Sequence, residues 1–519
     1  MFFSLIFYSQ SYLILVDWQR FLFTFLFESF KMFVKRPILD IFLYLCIINR
    51  LENQYVYSNS IIHLETNNII HMTTSEFIIQ FRESDPRRLA LQASRYPDVD
   101  MPYALNQIQG WQTAQRKLPS WAACDGVVYP PHLNMEQCSS EPTARYKQQV
   151  ARRWVEAVQP VADTCMTDLT GGFGVDFSFT SRCFDCATYV ERNASLCDVV
   201  SANLPRLGIR NATVECAEAE AVLEQMEPQT MIFLDPARRD EHGAKTVLIA
   251  DCTPDVCQLL PSLMQKSQFV MLKLSPMLDW HKAIVDLDGK VREVHIVSAD
   301  GECKELLLVL ASDGKPEVQV FCVDIQSRPD SEGQYPRNEF VYSIGGEAEP
   351  QPTNSTLNIE HLTLNINNST SAQPTNSQFT TQKLKIAAGN NSKLKIQNSK
   401  FLYEPNASVM KAGCFNEIAR AYGVSAVSRN SHLFLSDELK EDFPGRTFVI
   451  DAVTTMNKRQ LRQTLSGMKQ ANIAVRNFPL SVAELRKRLK LSDGGDTYIF
   501  ATTTSEGDHI LMLTHKTKK

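Results

Sequence analysis

Three segments carry residue types that could do chemistry. The first is Asp168-Leu169-Thr170-Gly171-Gly172-Phe173-Gly174-Val175-Asp176, where an apolar run ends in an acid and a glycine-rich turn follows at once. Without side chains, Gly171, Gly172 and Gly174 let the backbone approach a ligand closely. The second, Ala187-Thr188-Tyr189-Val190-Glu191, is a strand-like run that also ends in an acid. A carboxylate there can accept hydrogen bonds from both hydroxyls of a ribose. The third is Met231-Ile232-Phe233-Leu234-Asp235-Pro236-Ala237-Arg238, in which proline stiffens the loop after the acid.

A nicotinamide or flavin dinucleotide site would use G-x-G-x-x-G, and Gly171-Gly172-Phe173-Gly174 does not supply it. An acid directly before the glycines suits S-adenosylmethionine (AdoMet) instead. Asp168 would contact the methionine amino group, directly or through water, and Glu191 the ribose. Glu218 would accept from the adenine amino group, with Glu215 and Glu220 as rivals.

Asp235, Pro236, Ala237 and Arg238 stand where base-amino methyltransferases often read (D/N)-P-P-(Y/F/W), with the aromatic stacked on a flipped base. Ala237 and Arg238 replace the second proline and the aromatic. Arg238 could stack on a base or clamp a phosphate, or form a structural pair with an Asp. After the fifth strand the chain reads Lys273-Leu274-Ser275-Pro276, without the cysteine that covalent pyrimidine C5 methylation needs. Direct in-line transfer to nitrogen or oxygen is expected, with the protein mainly positioning its reactants. Lys273 would touch substrate or cap the sheet. Cys183-Phe184-Asp185-Cys186 lacks the second pair or the histidines of a zinc site, so no metal is expected.

These residues need a scaffold, and the periodicity predicts one. Strands are expected at 165–168, 186–191, 212–216, 231–235 and 269–274, with helices at 175–182, 194–207, 218–225 and 253–265. The alternation means a parallel, Rossmann-like sheet covered on both faces, an α/β core over 162–276. Segments 292–298 and 303–310 form a hairpin, either at the sheet edge or in a separate module over 277–322. A helical cap is expected over 72–161, where Ser84-Asp85-Pro86 offers a helix start. A β-rich connector over 323–445 is interrupted by residues 351–400, of which 27 are Asn, Gln, Ser or Thr. Such a stretch buries too little to offset its ordering entropy and reads as a flexible insertion. A small α+β unit occupies 446–519.

At 519 residues the chain exceeds one ordinary domain. Its formal net charge of −5 gives no global nucleic-acid signature, but residues 446–519 hold 13 Lys or Arg against 6 Asp or Glu, a local +7. Thirteen cysteines are scattered without a disulfide-like framework. Most, Cys165 among them, sit in apolar runs as reduced core thiols would, and the protein is expected in the cytoplasm. Residues 1–71 are apolar, but Asp17, Arg20, Glu28, Lys31 and Asp40 interrupt every run, so a spanning helix is not expected. The text changes at Met72, where the native start is expected.

The motifs at 168–176, Tyr189-Val190-Glu191-Arg192-Asn193, 233–240 and Lys273-Leu274-Ser275-Pro276-Met277 together resemble a bacterial family of class I AdoMet methyltransferases with a THUMP-like C-terminal domain. Tyr403-Glu404-Pro405-Asn406-Ala407-Ser408 and Lys411-Ala412-Gly413 fit it too. The resemblance implies a ferredoxin-like module near 277–322 and a THUMP-like domain over 446–519. It also implies an RNA substrate, tRNA or rRNA. Arg486, Lys487, Arg488 and Lys490 then stand out as phosphate contacts on a short helix, or as its solvated face. The rival expectations are a methyltransferase of proteins or small molecules, and a non-catalytic RNA-binding protein that keeps the fold.

Overall fold

The computed structural model of the chain describes residues 69–158, 163–238, 249–312, 317–345, 396 and 399–517. Residues 1–68, and the polar segment 351–400 apart from 396, 399 and 400, lie outside them, as do the expectations placed there. The chain divides between Ile108 and Gln109 into two compact units, and the expected helical cap over 72–161 spans that division.

In the first unit, α1 (Thr74–Phe81) begins with a capping box. Glu76 N–H donates to the Thr73 hydroxyl, and Thr73 N–H donates to the Glu76 carboxylate. Asp85 caps α2 (Pro86–Ala90) and Pro86 occupies its first turn, as the sequence predicts. Phe77, Leu89, Tyr96 and Ile108 form the core of this unit, and α3 (Met101–Lys117) leads out of it.

The second unit begins with α4 (Pro119–Ala122), α5 (His132–Gln137) and α6 (Glu141–Val158). A nine-stranded sheet follows. Its strands and helices are β1 (Cys165–Asp168), α7 (Val175–Thr180), β2 (Cys186–Glu191), α8 (Ala194–Arg206), β3 (Ala212–Cys216), α9 (Ala219–Gln225) and β4 (Gln229–Leu234). The short strands β5 (Ala237–Arg238) and β6 (Cys252–Thr253) pair with each other outside it. It continues through α10 (Val256–Lys266), β7 (Ser267–Leu274), α11 (Trp280–Asp286), β8 (Val291–Ala299), β9 (Glu302–Ala311), β10 (Val318–Ile325) and β11 (Arg337–Ile344). The order is β11-β10-β8-β9-β7-β4-β1-β2-β3.

Strands β1 to β4 and β7 run parallel, with β9 inserted antiparallel between β7 and β8. The β8–β9 hairpin is therefore neither the sheet edge nor a separate module, because β10 and β11 extend the sheet beyond it. Buried strands must be apolar on both faces. Ile232, Leu234, Val270 and Leu272 accordingly enter one core, and Met231, Phe233, Phe269 and Met271 the other.

Helix α6 is seated on the second face by polar contacts as well as by Val150 and Trp154. Lys147 reaches Glu305 on β9, Arg153 pairs with Glu293 on β8, and the Tyr146 hydroxyl hydrogen-bonds His295 at 2.8 Å. Burial lowers the His295 pKa, although Glu293 opposes it.

The sequence reading errs on one thiol pair. Cys165 and Cys186 are register partners on β1 and β2 and are joined as a disulfide, rather than being a reduced core thiol and a packing cysteine.

A seven-stranded sheet completes the unit, in the order β13-β14-β12-β15-β18-β17-β16. It contains β12 (Phe401–Pro405), β13 (Ser425–Ala426), β14 (Phe434–Ser436), β15 (Gly445–Thr455), β16 (Asn472–Arg476), β17 (Thr497–Thr503) and β18 (His509–Lys516). The helices here are α12 (Ala407–Ala412), α13 (Phe415–Tyr422), α14 (Lys458–Thr464) and α15 (Val482–Leu489). The expected connector 323–445 therefore divides: its first part completes the nine-stranded sheet, and β12 to β14 join the C-terminal one. Among the described residues no helix is long and apolar enough to cross a membrane.

Candidate active site

Strand order reverses at β1, which lies between β2 and β4, and such a switch point opens a crevice at the carboxyl ends of the strands. A cavity of about 820 Å³ occupies that place. Asp168, the glycine loop, Glu191, Asp235, Lys273 and residues 137–139 of the preceding helical segment contribute to its wall.

The loop conformation follows from its glycines. Gly171 lies so close to the Tyr189 ring that a Cβ would fall 2.1 Å from Cε2, and Gly172 adopts φ +53°. The Tyr189 hydroxyl donates to the Gly172 carbonyl at 2.5 Å, so the ring cannot retreat without losing that bond. Overpacking of this kind costs about 1–3 kcal/mol. Gly171→Ala should therefore lower the melting temperature by several degrees, and an unchanged melting curve would contradict the close approach.

Glu191 ends β2 and holds the loop from below. One carboxylate oxygen accepts from Gly172 N–H at 3.0 Å and the other from Asn193 N–H at 2.9 Å. Asp168 is 1% exposed and accepts from Thr170 N–H at 3.0 Å. Burial pushes its pKa well above the usual carboxylate range, against that hydrogen bond and with help from Asp176, Asp235 and Glu191. Glu218 precedes α9 and lines the cavity, as does Glu220, whereas Glu215 is not part of the wall.

Asp235 N–H donates to the Thr170 hydroxyl at 2.6 Å, which ties the loop after β4 to the glycine turn. The Asp235 carboxylate receives a hydrogen bond from Lys273 Nζ. Burial works against the Lys273 charge, but Asp235, Asp176 and Glu305 outweigh it and raise its pKa. Pro236 is buried, and Ala237 and Arg238 form β5 against β6. The Arg238 side chain, Arg239 and Asp240 lie outside the described residues, and with them the stacking, clamp and Asp–Arg pair readings.

Behind Asp235 lies an ion cluster that the sequence reading missed. Asp176 meets Lys147 at 3.2 Å and Lys273 at 3.7 Å, and it accepts from the Ser139 hydroxyl at 2.7 Å. Burial opposes its charge, but these neighbours hold its pKa below the usual range. Lys147, 0% exposed, also donates to both oxygens of Glu305 at 2.6 and 2.7 Å. The available signals were a lysine on the apolar face of α6 and an acid opening the apolar run of β9. Cys138 and Cys252 also line the cavity. Burial, partly offset by Lys117, pushes the Cys138 thiol up to about 11.

The C-terminal basic residues are not equivalent. Arg486 turns back to Asp493 at 2.6 Å and to the Ala471 carbonyl, whereas Lys487, Arg488 and Lys490 are exposed.

Sheet order, switch point and glycine loop define a class I methyltransferase fold. It carries ferredoxin-like and THUMP-like domains at its C-terminus: residues 401–444 match a family model described as a ferredoxin-like domain, and residues 445–516 one described as THUMP domain-like. The ferredoxin-like segment is thus not 277–322, whose strands belong to the nine-stranded sheet. A candidate methyltransferase from Porphyromonas gingivalis W83, known from a crystal structure, is 27% identical over 86% of this chain and 100% of its own, with a TM-score of 0.63. An rRNA methylase from Streptococcus thermophilus is 12% identical over 34% of this chain and 98% of its own, with a TM-score of 0.25. A precorrin-6y C5,15-methyltransferase from Geobacter metallireducens GS-15 is 16% identical over 32% and 87%, with a TM-score of 0.23. The last two are too distant to carry an argument about substrate. No curated protein matches the sequence.

Proposed function

We propose that this protein is an AdoMet-dependent methyltransferase that acts on RNA by direct in-line transfer. The observation that carries the reading is one cavity holding the glycine loop, Glu191 and the Lys273-bound carboxylate of Asp235. Its size falls within the range of about 300–1,000 Å³ usual for small-molecule sites. The residues fit the cofactor. The glycine turn leaves room where side chains would stand, buried Asp168 offers a carboxyl to an ammonium, and Glu191 and Glu218 stand along the wall for the ribose and adenine.

Bound there, AdoMet supplies a methyl group already activated by its sulfonium. The protein then positions: Asp235 orients the acceptor, and Lys273 fixes Asp235. A Cys138 thiol pushed up to about 11 is a poor nucleophile near neutrality, which favours direct transfer. The THUMP-like match and the local +7 charge favour RNA as the acceptor.

The test is tritium transfer from labelled AdoMet to total RNA of a knockout strain, followed by nucleoside analysis. Label appearing only in protein or small molecules would reject the RNA step.

Asp168 gives a sharper test of the cofactor site. Below its raised pKa the ligand-free carboxyl carries a proton, and an ammonium placed beside it favours the ionised form. Cofactor binding should therefore release a proton in that range, and affinity should rise with pH until the ligand-free group ionises. Calorimetry in buffers of different ionisation enthalpy should detect the release in wild type and not in Asp168→Asn. Gly172→Asp, which adds a strained carboxylate to the loop, should abolish binding; retained affinity would contradict the placement of the loop.

A further inference from the structure

Five charged side chains of alternating sign lead from the sheet interior to the cavity: Glu305, Lys147, Asp176, Lys273 and Asp235. Side-chain exposure is 4% or less at Glu305 and Lys147, 11% and 13% at Asp176 and Lys273, and 39% at Asp235. The inner end is fixed. Lys147 donates to both oxygens of Glu305 on β9 and meets one oxygen of Asp176 at 3.2 Å. The Ser139 hydroxyl donates to the other Asp176 oxygen at 2.7 Å. Asp176 therefore has a set orientation before Lys273 is considered.

Lys273 is the link to the cavity. Its ammonium hydrogen-bonds Asp235 and lies 3.7 Å from the Asp176 oxygen that Ser139 holds. The arrangement acts in two ways. A lysine head sits on a flexible stem, and a second carboxylate confines it. Asp235 is the exposed end of the row, so the confined ammonium is what keeps its side chain from turning to solvent. An ammonium shared between two carboxylates also neutralises neither fully. Asp235 then keeps negative charge to meet the positive charge that reaches the acceptor with the methyl group.

We propose that Asp176 is a positioning residue for methyl transfer, which acts through Lys273 to aim the Asp235 carboxylate at the acceptor and to keep it from full neutralisation. This rests on the reading of Asp235 given above and adds to it a residue of α7. The rival is a structural Asp176 that only steadies the glycine turn, which ends two residues before it.

The experiment compares wild type, D176N, D235N and D176N/D235N. It measures single-turnover transfer of label from AdoMet into total RNA of the knockout strain, and AdoMet affinity by calorimetry. D176N keeps the shape and an acceptor for Ser139, but leaves Lys273 to Asp235 alone. It should slow transfer by about 10-fold and leave AdoMet affinity within a few-fold. In the D235N background the same replacement should cost less than about twofold, because the group it acts through is already gone. All assays run below the melting transition of each variant. S139A, which loosens Asp176 without changing its charge, should show a smaller loss that also vanishes in D235N. If D176N/D235N does not fold, S139A and S139A/D235N carry the cycle. Transfer by D176N within about twofold of wild type, losses that multiply in the double variant, or a parallel fall in AdoMet affinity would overturn the proposal and leave the methyltransferase reading standing. Label reaching protein or a small molecule instead of RNA would reject only the RNA step, and the same cycle is then run on that acceptor. A wild type that moves no label to any acceptor would remove both.

Discussion

Replacing Asp235 by alanine is expected to slow methyl transfer by about 10²–10⁴-fold while leaving cofactor affinity within a few-fold. The separation of the two effects follows from the geometry. The Asp235 backbone N–H is held by the Thr170 hydroxyl at 2.6 Å, and a side-chain substitution does not touch that bond. Loop and glycine turn should therefore stay in place. What is lost is the carboxylate, whose side chain is 39% exposed and lies in the cavity wall. One of its oxygens is bound by Lys273, and among the described residues the other has no protein partner. An acceptor group held by hydrogen bond to a carboxylate fixed in this way stays aligned for attack. Asp235→Asn keeps shape and an acceptor oxygen but no longer balances the Lys273 charge, so an intermediate loss of about 10–100-fold is expected. Single-turnover rates with saturating AdoMet, beside calorimetric affinities, separate the cases. Parallel loss of binding and turnover would move Asp235 into the cofactor cradle, and activity within a few-fold of wild type would remove it from the transfer site.

Local backbone demands made the ligand loop legible in the sequence. Few residue types tolerate Gly172's positive φ or the contact of Gly171 with Tyr189, so a glycine turn after an acid-ended strand announces itself. Strands β1 to β3 lie where the sequence pattern placed them; β1 is buried over most of its length and has little freedom of composition, whereas the edge strand β3 is largely exposed. The hairpin was visible, but its place was not. Whether Val291–Ala299 and Glu302–Ala311 sit at an edge depends on β10 and β11, which arrive later in the chain and pair by long-range register. Nor could spacing reveal the ion cluster, whose members come from α6, α7, β7 and β9. Each alone looks like an ordinary charge, and only the tertiary fold makes Lys147, Asp176, Lys273 and Glu305 one group. The basic helix at Val482–Leu489 shows a related limit: the sequence counts charges, whereas the structure shows that Arg486 is paired with Asp493.

The same cluster should give the largest stability effect in the molecule. Lys147 is fully buried between Glu305 and Asp176, and removing one member of such a group leaves the others uncompensated. Lys147→Met keeps the aliphatic bulk and deletes the ammonium, and a loss of about 3–5 kcal/mol is expected. The loss should depend on pH in a definite direction. Asp176 is held below its usual range despite burial, with Lys147 the largest favourable neighbour, so it contributes stability above its unfolded pKa that disappears as pH falls through the folded value. Glu305 is already raised by burial against the pull of Lys147, and without that lysine it rises further and takes up a proton more readily. Both changes act alike: the gap between wild type and Lys147→Met should be widest near neutral pH and narrow towards acid. Denaturant melts at neutral and mildly acidic pH measure it. Adding Glu305→Leu should recover part of the loss, because one stranded carboxylate goes with its partner. A single-variant loss below about 1 kcal/mol, in the range of exposed pairs, would mean that Lys147 is solvated and does not bridge helix and sheet.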